Sequence, residues 1–132
     1  MALEIGGHML DFDMLNRMLD EAAEKIPREI YSRLNGGIVL SPEAKLHPGA
    51  KQNDLYIMGE YHRDSMMGRY IIIYGGSFCK LYSDAPLPHV RRELEKTLKH
   101  ELTHHMESLA GECDLEIKDR IKIEKYKKGG GS

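Results

Sequence analysis

The chain has 132 residues, a length that fits one domain with a substantial hydrophobic core and is too short for two full-sized domains. Hydrophobic residues make up 41% and charged residues 30%, which is the balance of a globular protein rather than a disordered or membrane-embedded one. The formal net charge of -2 gives no overall positive field, so we expect neither nucleic acid nor a membrane as a partner.

The lack of a secretory signal and of a membrane span predicts a cytoplasmic protein. The first ten residues lack the basic and apolar segments of a secretory signal, and no stretch reaches the roughly 18 apolar residues of a membrane span. Cys79 and Cys113 lack the close spacing of a zinc knuckle or redox pair, so reduced thiols are expected. The closing GGGS, residues 129–132, resembles an expression linker, which leaves residues 1–128 as a single domain.

The first predicted element is an amphipathic helix in DFDMLNRMLDEAAEKIP, residues 11–27. Asp11 is placed to cap its N-terminus, and Pro27 is placed to end it. Apolar residues recur at helical spacing and predict a face packed on the core. They are Phe12, Met14, Leu15, Met18, Leu19, Ala22, Ala23 and Ile26.

Short strands are predicted in the middle of the chain. A turn at NGG precedes the strand IVL, residues 38–40, and the Pro- and Gly-rich SPEAKLHPGAKQN, residues 41–53, is predicted to be a loop. DLYIMGEYH and RYIIIYGG, with RDSMMG between them, predict an antiparallel hairpin. The apolar run from Tyr70 to Tyr74 is continuous, which indicates that both faces of its strand are covered.

A longer helix is predicted from Pro88 to about Ala110, with Gly111 where a C-terminal cap is expected. The remaining ECDLEIKDRIKIEKYKK fits a loop and then a short helix that begins near Asp119. The apolar residues of the longer helix recur every three or four positions: Val90, Leu94, Leu98, Leu102, Met106 and Leu109.

The longer helix carries HELTH, residues 100–104, which matches the zinc-binding pattern H-E-x-x-H. His100 and His104 lie one turn apart on one helix face, so both imidazoles can bind one zinc ion. Glu101 lies at the flank of this pair, where it can reach a zinc-bound water without occupying a ligand position.

Helical geometry divides the histidines of this segment between two faces. At about 100° per residue, His100 and His104 face away from the apolar stripe around Leu98, as a site that lines a cleft requires. His105 falls on the core side, so we expect it to be buried and hydrogen-bonded rather than a ligand.

A catalytic zinc ion needs a third protein ligand and one open position for water. Several downstream acids are candidates, and the spacing leaves them open: Glu107, Glu112, Asp114, Glu116, Asp119 and Glu124. The group that stabilises the oxyanion is also left open among His47, His62, Tyr74 and Tyr82.

The chain resembles the small single-domain zincin-like metallopeptidases of the HExxHH type over nearly its full length. FDMLNRMLDEAAEKIP, LYIMGEY, YIIIYGG and HELTHH look like the opening helix, central strand, aliphatic strand and zinc helix of that family. The resemblance implies a compact, minimal α+β zincin-like fold, in which a small sheet packs with a long active-site helix and flanking helices. It also implies hydrolysis of peptide bonds, with one zinc ion as the cofactor and a peptide or protein as the substrate.

In many members of that family, an Asp at the start of a short last helix supplies the third zinc ligand. This chain departs from the pattern, because the longer connection MESLAGECDLEIKD follows the paired histidines. Matching the start of the last helix points to Asp119. The resemblance therefore implies His100, His104 and Asp119 as metal ligands and Glu101 as the catalytic residue.

In the implied mechanism, zinc polarises the substrate carbonyl and activates its bound water, while Glu101 takes the proton and passes it to the leaving amine. An exposed edge of RYIIIY could hold an extended peptide by strand addition, and an internal strand is the alternative. Two other functions stay open: a non-catalytic zinc-containing module that binds a partner, and a metal-dependent hydrolase of a non-peptide substrate.

Overall fold

The computed structural model describes residues 10–49 and 55–129, with side chains as far as Glu112. Helices and two small sheets are combined in an α+β fold, so the predicted α+β class is confirmed. No helix in the described part of the chain is both long and apolar enough to cross a membrane. The elements, in chain order, are α1 (Phe12–Glu24), a 3₁₀ helix (Arg28–Tyr31), β1 (Gly37–Ser41), β2 (Lys45–Leu46), β3 (Tyr56–Ile57), β4 (Gly59–Asp64), β5 (Gly68–Tyr74), α2 (Gly75–Tyr82) and α3 (Leu87–Gly129).

The larger sheet has three strands in the order β1-β5-β4. β5 pairs in parallel with β1 and antiparallel with β4, so the predicted hairpin is confirmed. Because β5 has a partner along each edge, strand addition at RYIIIY is wrong and the internal-strand alternative is confirmed. β4 forms an edge of the sheet instead.

The predicted loop at residues 41–53 contains a short strand that the sequence did not indicate. β2 pairs antiparallel with β3, with Lys45 opposite Ile57. The backbone N–H of Lys45 also donates to the buried Ser77 hydroxyl of α2, at 3.0 Å. Two residues held by distant partners carry no periodicity of their own, so no local pattern indicated them.

The core lies between one face of the sheet and the helices α1 and α3. The carboxylate of Asp11 accepts a hydrogen bond from the Met14 backbone N–H at 2.8 Å, which confirms the predicted helix cap. Phe12 departs from the predicted apolar face, since it is 42% exposed. The buried residues of these elements are Leu15, Met18, Leu19 and Ala22 of α1, Val90, Leu94, Leu98 and Leu102 of α3, and Ile71 and Ile73 of β5.

α3 runs as one helix from Leu87 to Gly129, so the predicted cap at Gly111 and the loop after it are wrong. Gly111 lies inside the helix, and a Cβ added there would have no atom within 4 Å. A glycine costs a helix interior only about 1 kcal/mol relative to alanine. The next residue, Glu112, forms ion pairs with Arg33 and Arg69, which hold this turn of the helix in place.

Replacing Gly111 with alanine should raise the free energy of unfolding by about 0.5–1 kcal/mol, because alanine favours the helix and the site has room for its methyl group. The measurement is urea denaturation followed by circular dichroism. Gly37→Ala is the matched control: its Cβ would also have open space, but its φ of 71° disfavours alanine, so it should destabilise. Destabilisation by Gly111→Ala would contradict the continuous helix.

Candidate metal centre

A cleft of about 750 Å³ lies between α3 and the edge strand β4. The strand contributes the residues from Gly59 to Arg63. α3 contributes the predicted pair His100 and His104, the predicted base Glu101, and two further polar residues, Glu107 and Ser108. The structure therefore brings three of the four predicted site residues together.

His100 and His104 are both exposed and face each other across one turn of α3. Their rings are nearly perpendicular, with centroids 4.7 Å apart, and their Nε2 atoms are 3.2 Å apart. A tetrahedral zinc ion with Zn–N bonds of 2.0–2.1 Å would separate two ligand nitrogens by about 3.3 Å. The two imidazoles thus have the chemistry and the spacing that fit a shared zinc ion.

Glu101 is buried beside this pair, with only 6% of its surface exposed. Burial raises the pKa of its carboxyl group, although the nearby His100 and His104 oppose the shift. The strand β4 approaches this turn closely at Gly59, where a Cβ would lie 2.9 Å from Thr97 Cγ2 and 3.3 Å from Glu101 Cγ. Glycine suits this close approach, because a Cβ here would force the Thr97 side chain to shift.

His105 is fully buried on the opposite side of α3, as predicted. Its Nε2 lies 2.8 Å from the carbonyl oxygen of Ser32, which can only accept, so Nε2 carries the proton. In the neutral ring Nδ1 then accepts from the Tyr61 hydroxyl group at 2.8 Å. The Tyr61 oxygen accepts in turn from Arg69 Nη1 at 3.0 Å. We call the Ser32 carbonyl group, His105, Tyr61 and Arg69 the His105 chain. It links α3 to β4, to β5 and to the segment after the 3₁₀ helix.

Glu60, which the sequence did not single out, is a cleft residue that accepts three hydrogen bonds. Its carboxylate accepts from the Tyr74 hydroxyl group at 2.6 Å, from Lys45 Nζ at 2.8 Å and from His62 Nε2 at 2.9 Å. Burial alone would raise the pKa of Glu60, but the three donors outweigh it and lower the pKa to about 2. No sequence signal indicated this cluster, because its members come from β2, β4 and β5.

The four candidates for the oxyanion stabiliser lie in different surroundings. Among them, only His62 lines the cleft described above. Tyr74 is 4% exposed and donates to Glu60, Tyr82 donates to Glu93 at 3.4 Å, and His47 accepts from the Gly49 backbone N–H at 2.9 Å.

Among the described residues, no group of three His, Cys, Asp or Glu side chains is arranged to hold a metal ion. Glu107 lies with its Oε1 3.6 Å from Nδ1 of His104, the ring nitrogen that does not face His100. This distance is too long for a hydrogen bond, so Glu107 is near His104 without fixing the orientation of its ring. Glu112 forms ion pairs with arginines and lies about 12 Å along the helix axis from His104.

The side chains of Asp119 and of the alternatives Asp114, Glu116 and Glu124 lie outside the described residues. Asp119 is fifteen positions beyond His104 on the same helix, a separation of about 22 Å along the axis. Asp119 as the third ligand stays a prediction, and it requires α3 to break after Glu112.

A search of solved structures found a conserved hypothetical protein from Thermo thermophilus that has a similar fold, with a TM-score of 0.65 and 29% sequence identity. The match covers 77% of this chain and 99% of that one. No protein-family model matches the chain, and no curated protein matches it significantly. The fold and the site thus define an α+β protein with an exposed histidine pair beside a buried glutamate.

Replacing Tyr61 with phenylalanine should lower the free energy of unfolding by about 1–3 kcal/mol, because buried His105 and Arg69 would each lose a hydrogen-bond partner. Urea denaturation measures the change. Tyr70→Phe is the matched control, since the half-buried Tyr70 stacks its ring on His62 and its hydroxyl group has no hydrogen-bond partner among the described residues. Equal effects of the two substitutions would argue against the His105 chain.

Replacing Glu60 with glutamine should lower the free energy of unfolding by about 1–2 kcal/mol at pH 7, because charge-assisted hydrogen bonds to a partly exposed carboxylate are lost. The folded-state pKa is depressed to about 2, so the stabilisation is present above the ordinary value of 4.5 and is lost as the pH falls towards 2. Denaturation of both proteins between pH 7 and pH 2 tests this. A difference that does not shrink with falling pH would contradict it.

Proposed function

We propose that the protein is a cytoplasmic, zinc-dependent metallopeptidase of the zincin-like type. The proposal rests on one arrangement: the Nε2 atoms of His100 and His104, 3.2 Å apart, lie beside the buried carboxyl group of Glu101 in an open cleft. A structural metal site needs no general base next to the metal. The buried acid therefore favours a catalytic site over a structural one.

His100 and His104 would hold the zinc ion. Asp119 is proposed as the third ligand, which requires α3 to break after Glu112 so that Asp119 can fold back to the histidine pair. When bound, zinc supplies a Lewis acid for the substrate carbonyl and for water. Glu107 lies 3.6 Å from Nδ1 of His104, and a small movement into hydrogen-bond range would let it hold that imidazole with Nε2 towards the metal.

Glu101 is proposed as the group that moves the proton. Burial raises the pKa of its carboxyl group, which makes the carboxylate a stronger base than one in water. It would accept a proton from the attacking water and deliver it to the leaving amine. Hydrolysis by this route needs no covalent intermediate on the protein.

The edge of β4 supplies a surface on which an extended peptide can be positioned. Within the described residues, no strand pairs with the outer edge of β4, and the strand lines the same cleft as the histidines. A peptide added there would bind through main-chain hydrogen bonds that do not depend on its sequence. Gly59 lies against Glu101, so a peptide paired with this part of β4 would lie near the proposed base.

Glu101→Gln should lower the rate of peptide hydrolysis at least about a hundredfold, since general-base catalysis contributes factors of roughly 10² to 10⁴. Zinc affinity should change little, because Glu101 is not a proposed ligand. Cleavage of a denatured protein by the zinc-loaded chain measures the first effect, and competition with a chromophoric chelator measures the second.

Two further variants complete this experiment. Glu24→Gln, the same change on the exposed side of α1, should leave both quantities unaltered. His104→Ala should lose zinc binding and cleavage together. Unchanged cleavage in the Glu101 variant would remove Glu101 from the mechanism, and zinc binding without any cleavage would contradict the enzymatic function.

A further inference from the structure

Three arginines and one glutamate meet at the end of the cleft that lies away from Glu101. We call Arg33, Arg63, Arg69 and Glu112 the arginine cluster. Glu112 Oε1 accepts from Arg69 Nη2 and lies 3.5 Å from Arg63 Nη2, while Oε2 accepts from Arg33 Nη2 at 3.3 Å. The proposed hydrolysis uses none of these residues.

The arginine cluster carries an excess of positive charge. Three guanidinium groups against one carboxylate leave a net charge of +2. Each guanidinium has five N–H donors, whereas one carboxylate offers about four lone-pair sites, so Glu112 cannot satisfy all the donors. The carboxylate of the neighbouring Asp64 accepts from the backbone N–H groups of Met66 and Met67, which directs it to the hairpin turn.

The three arginines differ in their exposure. Arg69 is buried, with 9% of its side chain exposed, and it also donates to Tyr61 and Ser108, so its role is structural. The side chains of Arg33 and Arg63 are 63% and 60% exposed, so their guanidinium groups are open to a ligand.

The backbone of Arg33 is in an unusual conformation. Its φ is 65°, and within the described part of the chain it is the only residue other than glycine with a positive φ. This region is uncommon for residues other than glycine and carries a cost, which is often found where a side chain serves a function. In this backbone conformation the Arg33 guanidinium group donates a hydrogen bond to the Glu112 carboxylate.

The arginine cluster lies along the path that a bound peptide would take. β4 and α3 run side by side: Gly59 lies next to Glu101, and Tyr61 bonds to His105. At the far end of the strand, Arg63 pairs with Glu112 and lines the cleft. Arg63 lies four positions beyond Gly59 on the strand, a distance of about 13 Å.

We infer that the arginine cluster binds an acidic side chain of the substrate about four residues from the scissile bond, so that acidic extended peptides are the preferred substrate class. This inference rests on the proposed peptidase function. A guanidinium group binds a carboxylate through two parallel hydrogen bonds, which gives both charge and geometric complementarity. Antiparallel pairing with β4, the more stable arrangement, places this acidic residue on the N-terminal side of the scissile bond.

The first test measures binding without zinc and without hydrolysis. Full-length protein with Glu101→Gln, in excess chelator, is titrated by NMR with two nine-residue peptides that differ only in three consecutive Glu or Gln residues near the N-terminus. The acidic peptide should bind at least about fivefold more tightly in 50 mM NaCl, and its advantage should shrink in 300 mM NaCl because salt screens exposed charges. Equal binding of the two peptides, or no binding of either, would overturn the inference.

Substitutions test whether the arginine cluster causes the tighter binding of the acidic peptide. Arg63→Gln and, separately, Arg33→Gln should each reduce the advantage of the acidic peptide about threefold or more, because each removes one exposed guanidinium. Arg17→Gln, an exposed arginine on α1, is the matched control and should change nothing. Circular dichroism establishes that each variant is folded. An advantage that survives both substitutions would place the anion site elsewhere.

The second test measures cleavage by the zinc-loaded wild-type chain. The value of kcat/KM should be higher for the peptide with glutamates on the N-terminal side than for the Gln peptide or for one with glutamates on the C-terminal side. Cleavage of all three at one rate would overturn the inference and leave the peptidase function standing. Tight binding of the acidic peptide with no cleavage would remove the peptidase function and keep the anion site.

Discussion

The orientation of α3 about its own axis decides which of its side chains reach the cleft, and the hydrogen bonds of buried His105 hold that orientation. Packing of Leu94, Leu98 and Leu102 against the sheet attaches the helix to the core, but apolar contact is not directional. The hydrogen bonds of His105 to Tyr61 and to the Ser32 carbonyl are directional, and both ring nitrogens are used. A rotation that moved His104 out of the cleft would leave these buried groups without partners, which is expensive.

Because β4 lies close to α3, the two ends of the cleft differ in their chemical groups. At one end Gly59 brings the strand against the buried carboxyl group of Glu101, and at the other end Arg63 meets the ion pairs of Glu112. The proposed proton transfer and the inferred anion binding would therefore take place at opposite ends of one strand edge. Such a separation would suit an extended peptide substrate, because the groups proposed to bind it and the group proposed to act on it would not compete.

Local patterns predicted those elements whose causes lie within a few residues. The Asp11 cap, the apolar face of α1 apart from the exposed Phe12, and the burial of His105 were confirmed, because helical periodicity determines which residues share a face. The cap predicted at Gly111 was wrong. A glycine can end a helix, but it is also tolerated inside one, and here the ion pair of the next residue, Glu112, with Arg69 holds this turn in place. The strand β2 was missed because its partners, Ile57 and Ser77, are distant in sequence.

The sequence by itself determined that His100, Glu101 and His104 share one helical turn and that His105 faces the core, because the rise and rotation of an α-helix are constants of the backbone. Only the tertiary structure decided that β4 forms a sheet edge and that Glu60 lines the cleft. It also decided that Arg33, Arg63 and Arg69 lie together around Glu112. Glu60 and Glu112 each gain their partners from three separate elements. Such contacts depend on how the elements pack, and the spacing of residues along the chain does not predict that packing.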